Sequence, residues 1–152
     1  MAAIRLAVPE DMLPLMELLR AFYVEERLAY TAGVQSALAG LLEAPARGVV
    51  FLIATDAAPP SAANLAGYFV LTYGYSLERG GKTALLDELY IDPAHRRKGL
   101  ATVALAHAAT AARAAGCAAL HVEVQDTNRL AANLYARAGF QNQHRQYLTL
   151  TL

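Results

Sequence analysis

A single cysteine, Cys117, stands among 152 residues. One thiol cannot form an internal disulfide framework or a zinc cluster. Its place between Gly116 and an apolar run suits a buried structural group. An excess of charge of either sign is also missing, since 13 Lys and Arg balance 13 Asp and Glu. Bulk nucleic-acid binding normally needs a basic face, so it is not expected. The opening MAAIRLAVPEDM has no basic segment followed by an apolar stretch, and therefore no signal-peptide pattern. No run approaches the ~18 apolar residues of a membrane span. The four histidines, His95, His107, His121 and His144, fall in no metal-ligand spacing. These absences predict a cytoplasmic chain with no metal, no membrane and no nucleic-acid partner.

What is abundant is apolar: 56% hydrophobic against 17% charged residues. That composition predicts one well-filled domain over residues 1–152. Ile4 to Val8 alternates as a short strand, and Pro9, Glu10 and Asp11 then open a helix running to Arg27. A second helix is predicted over Val34 to Leu42. VVFLIAT at 49–55 reads as a strand, AAPPSAAN at 57–64 as a loop, and Leu65 to Tyr73 as a further strand. A turn at Glu78 to Gly81 leads to a strand over Thr83 to Ile91, apolar on both faces as a central strand would be. Gly99 to Ala115 is an alanine-rich helix stopped by Gly116. Ala118 to Val124 is a strand, Asn128 to Ala138 a helix ended by Gly139, and one or two strands follow Phe140. The fold class is α/β (α+β type): a mixed central sheet with helices on its faces.

One stretch breaks the charge balance locally. LYIDPAHRRKGLA at 89–101 passes from strand residues through three cations to a glycine and a helix start. A helix N-terminus has unpaired N–H groups and about half a positive charge. A glycine there lets a ligand approach the backbone. The arrangement suits a pyrophosphate or several phosphates, although three cations on a turn can equally be a solvated surface. The turn matches neither GxxxxGK[ST] nor GxGxxG, so neither a P-loop nor a dinucleotide fingerprint is present.

Arg96-Arg97-Lys98-Gly99-Leu100-Ala101 resembles the R/Q-x-x-G-x-G/A signature of the GNAT superfamily of acetyl-CoA-dependent N-acetyltransferases, with alanine where many members have a second glycine. Downstream, Asn128 to Phe140 (NRLAANLYARAGF) resembles that superfamily's N-x-x-A-x-x-x-Y-x-x-x-G-F pattern. The two motifs come in order, separated by a helix and a strand, and IRLAVPEDM resembles the first strand and turn. Leu86 to Tyr90 is similar to the diamine and polyamine acetyltransferase branch. The resemblance implies a mixed, mostly antiparallel sheet flanked by helices, and acetyl-CoA as co-substrate. It further implies pyrophosphate against the amides of Arg97, Lys98, Gly99, Leu100, Ala101 and Thr102, with Arg96 beside them. Pantetheine would lie along Leu89, Tyr90 and Ile91, and a backbone N–H near Leu89 would polarise the acetyl carbonyl. Tyr135 is the implied general acid, and Asn128 either contacts the cofactor or caps its helix.

Direct attack on a thioester needs a neutral amine. An alkyl amine titrates near about 10.4, so neutralising it at about pH 7.4 costs about 4 kcal/mol, which makes a general base useful. Asp87 and Glu88 are the candidates. In a regular strand they face opposite sides, so only one would reach the cleft unless a bulge intervenes. Glu25 and Glu26 add acidic charge, and Tyr68, Tyr73 and Tyr75 are candidates to line an amine pocket. His95 lies in the cationic turn beside the expected phosphates. The expected acceptor is a small cationic primary amine. The other readings are a peptide N-terminus or lysine as acceptor, and an acyl-CoA-binding module without turnover. The closing QYLTLTL is an apolar strand able to pair with a second chain, so a homodimer is a further expectation.

Overall fold

The computed structural model describes residues 2–152. Five strands form one sheet in chain order, β1 (Ile4–Leu6), β2 (Gly48–Ala54), β3 (Leu65–Ser76), β4 (Gly81–Ile91) and β5 (Leu120–Val122). The first four are antiparallel neighbours, and β4 and β5 are parallel. A parallel pair needs a long crossover, and here helix α3 (Leu100–Ala114) supplies it. Helices α1 (Met12–Glu25) and α2 (Ala32–Glu43) come before β2, and α4 (Arg129–Arg137) follows β5.

Each face of the sheet holds its own core. On one, Leu15, Met16 and Leu19 of α1 and Leu38 of α2 pack on Val50, Leu52, Tyr68, Val70 and Tyr90. On the other, Leu100, Ala104, Leu105 and Ala108 of α3 pack on Phe51, Ile53, Phe69, Leu71, Leu86 and Ile91. Alternation along β2 and β3 sends successive apolar residues to opposite cores, which is why VVFLIA reads as unbroken apolar sequence. α3 can be alanine-rich because small residues let it lie close over the sheet.

Several expected elements keep their place with shifted ends. Pro9–Asp11 forms a separate 3-10 turn before α1. Asp11 does not serve as a helix-dipole acid: its buried carboxylate takes two bonds from Arg5, at 2.7 and 2.8 Å, and the Val8 N–H at 2.9 Å. Arg5 holds that carboxyl below its ordinary range, first through these hydrogen bonds. β3 runs three residues past Tyr73, because Tyr73 to Ser76 continue to pair with Ala84 to Gly81. The strands expected after Phe140 are absent. Residues 141–152 have no regular structure and are exposed throughout. Their apolar alternation is a strand pattern, but it finds no ladder within this chain. Cys117 is a half-buried free thiol rather than a fully buried one.

Candidate active site

The site begins with an interruption in β4. Val70 pairs with Glu88, yet the next β3 residue, Leu71, pairs with Leu86, so Asp87 is an extra residue bulged out of the ladder. Two consequences follow. Glu88 and Leu86 would share a face in a regular strand, but Leu86 packs in the α3 core while Glu88 bonds to side chains on the α1 side. Asp87, freed from the ladder, reaches solvent.

The bulge lies where the sheet opens. Among the described residues β5 pairs with Ala84, Leu85 and Leu86 alone, so β4 runs on from Asp87 to Ile91 with no described strand on that side. Asp92 donates to Ala66 on β3 at 2.8 Å. Counting back with period two, Tyr90 and Glu88 turn their backbone groups to β3, and Leu89 and Ile91 turn theirs to the open side. The Ile91 carbonyl there accepts Arg96 Nε at 2.8 Å. Leu89 therefore offers a free N–H and C=O on the edge. Tyr90 offers no backbone group on that edge, since its N–H and C=O turn to β3, and its ring is buried on the α1 face.

Past β4, Asp92 caps a 3-10 turn by accepting the Ala94 N–H at 2.9 Å. The chain then enters α3 through two left-handed residues, Arg97 (φ 60°) and Gly99 (φ 76°). A non-glycine residue in that region costs of order 1–3 kcal/mol and clusters at functional sites. Among the described residues, none of the amides of Arg97, Lys98, Gly99, Leu100, Ala101 and Thr102 finds an acceptor. Gly99, at the N-cap, has no side chain to occupy the space before them.

The three cations separate into different roles. Arg96 is a strut: besides Ile91, its guanidinium grips Glu25 at the end of α1, at 2.6 and 2.8 Å, and lies over the Tyr90 ring. Arg97 and Lys98 are exposed beside the free amides. Glu25, expected as part of an amine-attracting cluster, is thus neutralised by Arg96. His95 keeps a buried Nδ1 without a partner among the described residues.

Glu88 is the focus of the α1 side. Its Oε1 accepts the Tyr23 hydroxyl and its Oε2 the Tyr68 hydroxyl, each at 2.7 Å. Burial raises its carboxyl above the ordinary range; the two phenols pull it down and Asp87 pushes it up. Asp87, though it reaches solvent, is partly desolvated by the surrounding cleft, and this raises its carboxyl as well. Around them stand the rings of Phe22, Tyr23, Tyr30, Tyr68 and Tyr90 in mostly tilted or edge-on contacts. The Tyr30 hydroxyl is buried with no partner among the described residues. Sequence reading identified Tyr68 but neither Tyr23 nor Tyr30, because helical spacing alone does not say which α1 residue faces a carboxylate 65 positions away. Tyr73 instead lies under Lys82 Nζ, 3.9 Å from the ring centre, and Tyr75 is 81% exposed near the β3–β4 turn, away from this cluster.

Tyr135, on α4, packs edge-on against Phe140 at 5.7 Å and lies against the α3 core. Burial first, and Glu26 second, raise its phenol above the ordinary value, so it stays protonated through neutral pH. Asn128 caps α4, its Oδ1 accepting the Ala131 N–H at 3.0 Å.

An open strand edge running to a ring of free amides, with carboxylates at the opening, is set within a recognisable sequence. The model of the family described as "Acetyltransferase (GNAT) family" matches residues 12–140. The chain belongs to that family. Streptothricin acetyltransferase of Streptomyces lavendulae is 34% identical over 77 residues, covering 51% of this chain and 39% of that protein. Thialysine N-epsilon-acetyltransferase of Bos taurus is 29% identical over 83 residues, covering 55% of this chain and 48% of that protein. This GNAT chain thus matches less than half the length of either curated relative. Among solved structures, an integron cassette protein from the mobile metagenome of Cole Harbour Salt Marsh is 32% identical, with a TM-score of 0.83. The match covers 98% of this chain and 90% of that one.

Proposed function

We propose that this GNAT domain transfers an acetyl group from acetyl-CoA to a small cationic primary amine. The observation that supports it best is the β4 bulge, which sets Asp87 and Glu88 at the point where β4 parts from β5. The residues present suit acetyl-CoA, which supplies an activated thioester. Six unpartnered amides from Arg97 to Thr102, with Arg97 and Lys98 beside them, would hold its phosphates. Leu89's free backbone groups would pair with the amide-bearing pantetheine arm. The same edge would offer an N–H to the acetyl oxygen as charge develops there, an interaction worth about 2.7–4 kcal/mol where such donors have been removed.

On the acceptor side, two carboxylates attract an ammonium ion and aromatic rings favour it further. With its carboxyl raised, Glu88 is a stronger base than an ordinary glutamate and can accept the amine's proton directly or through the Tyr23 hydroxyl. Asp87 has the same chemistry from the solvent side. Tyr135 would donate a proton or hydrogen bond to the departing thiolate. Carboxylates at the opening of the cleft favour this reading over a carrier of acyl-CoA, which has no need of a base.

Thiol release from acetyl-CoA is the direct test, run across diamines, polyamines, aminoglycosides, streptothricin, lysine analogues and peptides. Turnover with small polyamino compounds exceeding that with peptides is expected. Preference for peptides would move the assignment to a protein acetyltransferase. CoA binding with no thiol release from any amine would make the domain a binding module.

A further inference from the structure

One buried polar group on the acceptor side takes no part in the hydrogen bonds around Glu88. The Tyr30 hydroxyl bonds to nothing among the described residues. Such orphans are rare in folded proteins, and leaving one unmade is costly. The link between α1 and α2 brings it there. Arg27 takes a left-handed step (φ 55°) and the Leu28 N–H returns to the Tyr23 carbonyl at 2.8 Å, a Schellman end that folds the chain back over its helix. The Tyr30 ring then lies edge-on to Tyr23, with centroids 5.8 Å apart. Arg20, one turn before Tyr23, sits over the same ring at 5.2 Å.

Tyr30 thus stands behind one of the two phenols that hold Glu88. Tyr23 is only half-buried, whereas Tyr68 is wholly enclosed in the α1-side core. A carboxylate only accepts hydrogen bonds, but a carboxylic acid also carries an O–H that donates. When ionised, Glu88 takes the Tyr23 hydrogen at Oε1 and the Tyr68 hydrogen at Oε2. A proton arriving on Oε1 meets the Tyr23 hydrogen head-on, and one of the two must point elsewhere.

We infer that Tyr30 is the second station of the Tyr23 hydroxyl: as Glu88 takes the acceptor's proton, the Tyr23 O–H turns from the carboxyl to the Tyr30 oxygen. This rests on Glu88 being the base in the proposed reaction. The ammonium N–H bond breaks, an O–H bond forms on Oε1, and the electron pair stays on nitrogen for the attack. The new O–H then donates to the Tyr23 oxygen. Tyr23 and Tyr30 keep their own hydrogens and only turn. Tyr30 is idle while Glu88 is ionised, which accounts for its orphan hydroxyl. Burial and Glu88 chiefly keep the Tyr23 phenol protonated, and Asp87 and Tyr30 add to this, so the two hydroxyls lie within electrostatic reach. Facing Glu88 are Tyr23 from α1, Tyr68 from β3 and its neighbour Asp87, with Arg20 and Tyr90 at the margin. Tyr30 is therefore a positioning residue that acts on the base through Tyr23.

Tyr30→Phe removes the second station. Carbon NMR of labelled glutamate carboxyls in the full chain, with Glu88→Gln to assign the signal, reads Glu88 without turnover. Its titration midpoint should fall by about one pH unit, a tenfold weaker hold on the proton. Turnover should fall with it, while the KM for the amine barely changes. The melting temperature should not fall, because only an unpartnered hydroxyl is lost. In a Tyr23→Phe background the same substitution should leave the midpoint where it is. An unchanged midpoint in the parent background would overturn the inference, and so would an equal fall in both backgrounds. Absence of thiol release with every amine would contradict the acetyl-transfer reading instead, and the titration would still decide the role of Tyr30.

Discussion

At Glu88, two phenols and a buried setting act in opposite directions on one carboxylate. Burial raises its pKa and the Tyr23 and Tyr68 hydrogen bonds lower it, with burial the larger influence. The acid limb of kcat/KM should therefore lie above the ordinary glutamate value. Tyr23→Phe removes a bond that favours the ionised form, so the limb should move further up in pH; a limb that stays or falls would remove Glu88 as the base. Glu88→Gln should lower turnover by roughly 10²–10⁴-fold. Because burial disfavours the charged carboxylate, this group's contribution to stability is greatest below its unfolded pKa and is lost as pH rises through the folded one. At neutral pH the Gln variant should thus melt no lower than the parent, which separates a chemical loss from an unfolded enzyme. Asp87→Asn, assayed beside it, distinguishes the two carboxylates. Tyr135→Phe should reduce turnover and leave acetyl-CoA affinity nearly unchanged; unaltered turnover would take the phenol out of the reaction. Asp11 behaves in the reverse sense to Glu88. Its pKa is depressed by Arg5, so its contribution is present above about 3.9 and is lost as pH falls through the folded value.

Elements differ in how openly the sequence declares them. Strands β2 and β4 and helix α3 were legible because a short apolar run between turn residues, or an alanine run bounded by two glycines, encodes its own state. The two motifs likewise located the cationic turn with its free amides, and α4. Other parts of the site depend on what meets across the fold. The Asp87 bulge has no local signature, since its proof is the register of a strand 17 residues back, where Val70 pairs with Glu88 and Leu71 with Leu86. In the sequence Arg96 is one of three adjacent cations, and only the fold sets Glu25 of α1 against it. The closing strand pattern was correct about residue preference and wrong about this chain's own pairing, because a strand needs a partner that the sequence of one element does not name. At this scale Gly67 matters most. A Cβ there would collide with the Tyr90 carbonyl across the β3–β4 ladder. Gly67→Ala should displace β4 beside the open edge, lowering stability by about 1–3 kcal/mol and weakening acetyl-CoA binding, as thermal melting and calorimetry would show. By contrast, Gly99→Ala meets no neighbouring atom within 4 Å and carries only the left-handed penalty, of roughly 1–2 kcal/mol.

For the molecule as a whole, neutrality and the two cores set the context in which a local positive turn matters. With acidic and basic residues equal in number, the attraction of the proposed polyanionic co-substrate would rest on Arg97, Lys98 and the free amides rather than on a global field. Replacing Lys98 with alanine should weaken acetyl-CoA binding more at low salt than at high salt. Arg96→Ala should instead loosen the contact between α1 and the turn, with little salt dependence. Equal losses for both at every ionic strength would contradict that division.

The sheet is joined very unequally along its width. β3 and β4 pair over ten positions, whereas β4 and β5 pair over three. The narrow junction is also the parallel one, the slightly weaker kind per residue. Thermal fluctuation should therefore separate β5 and α4 from the rest well below the free energy of global unfolding. The cleft is consequently a seam between a slow-opening body and a fast-opening flap. Amides at 120–122 should exchange before those of β3, and a ligand lying in the seam should slow them most. Breathing of this kind gives a bulky co-substrate a way in and out without any dedicated lid.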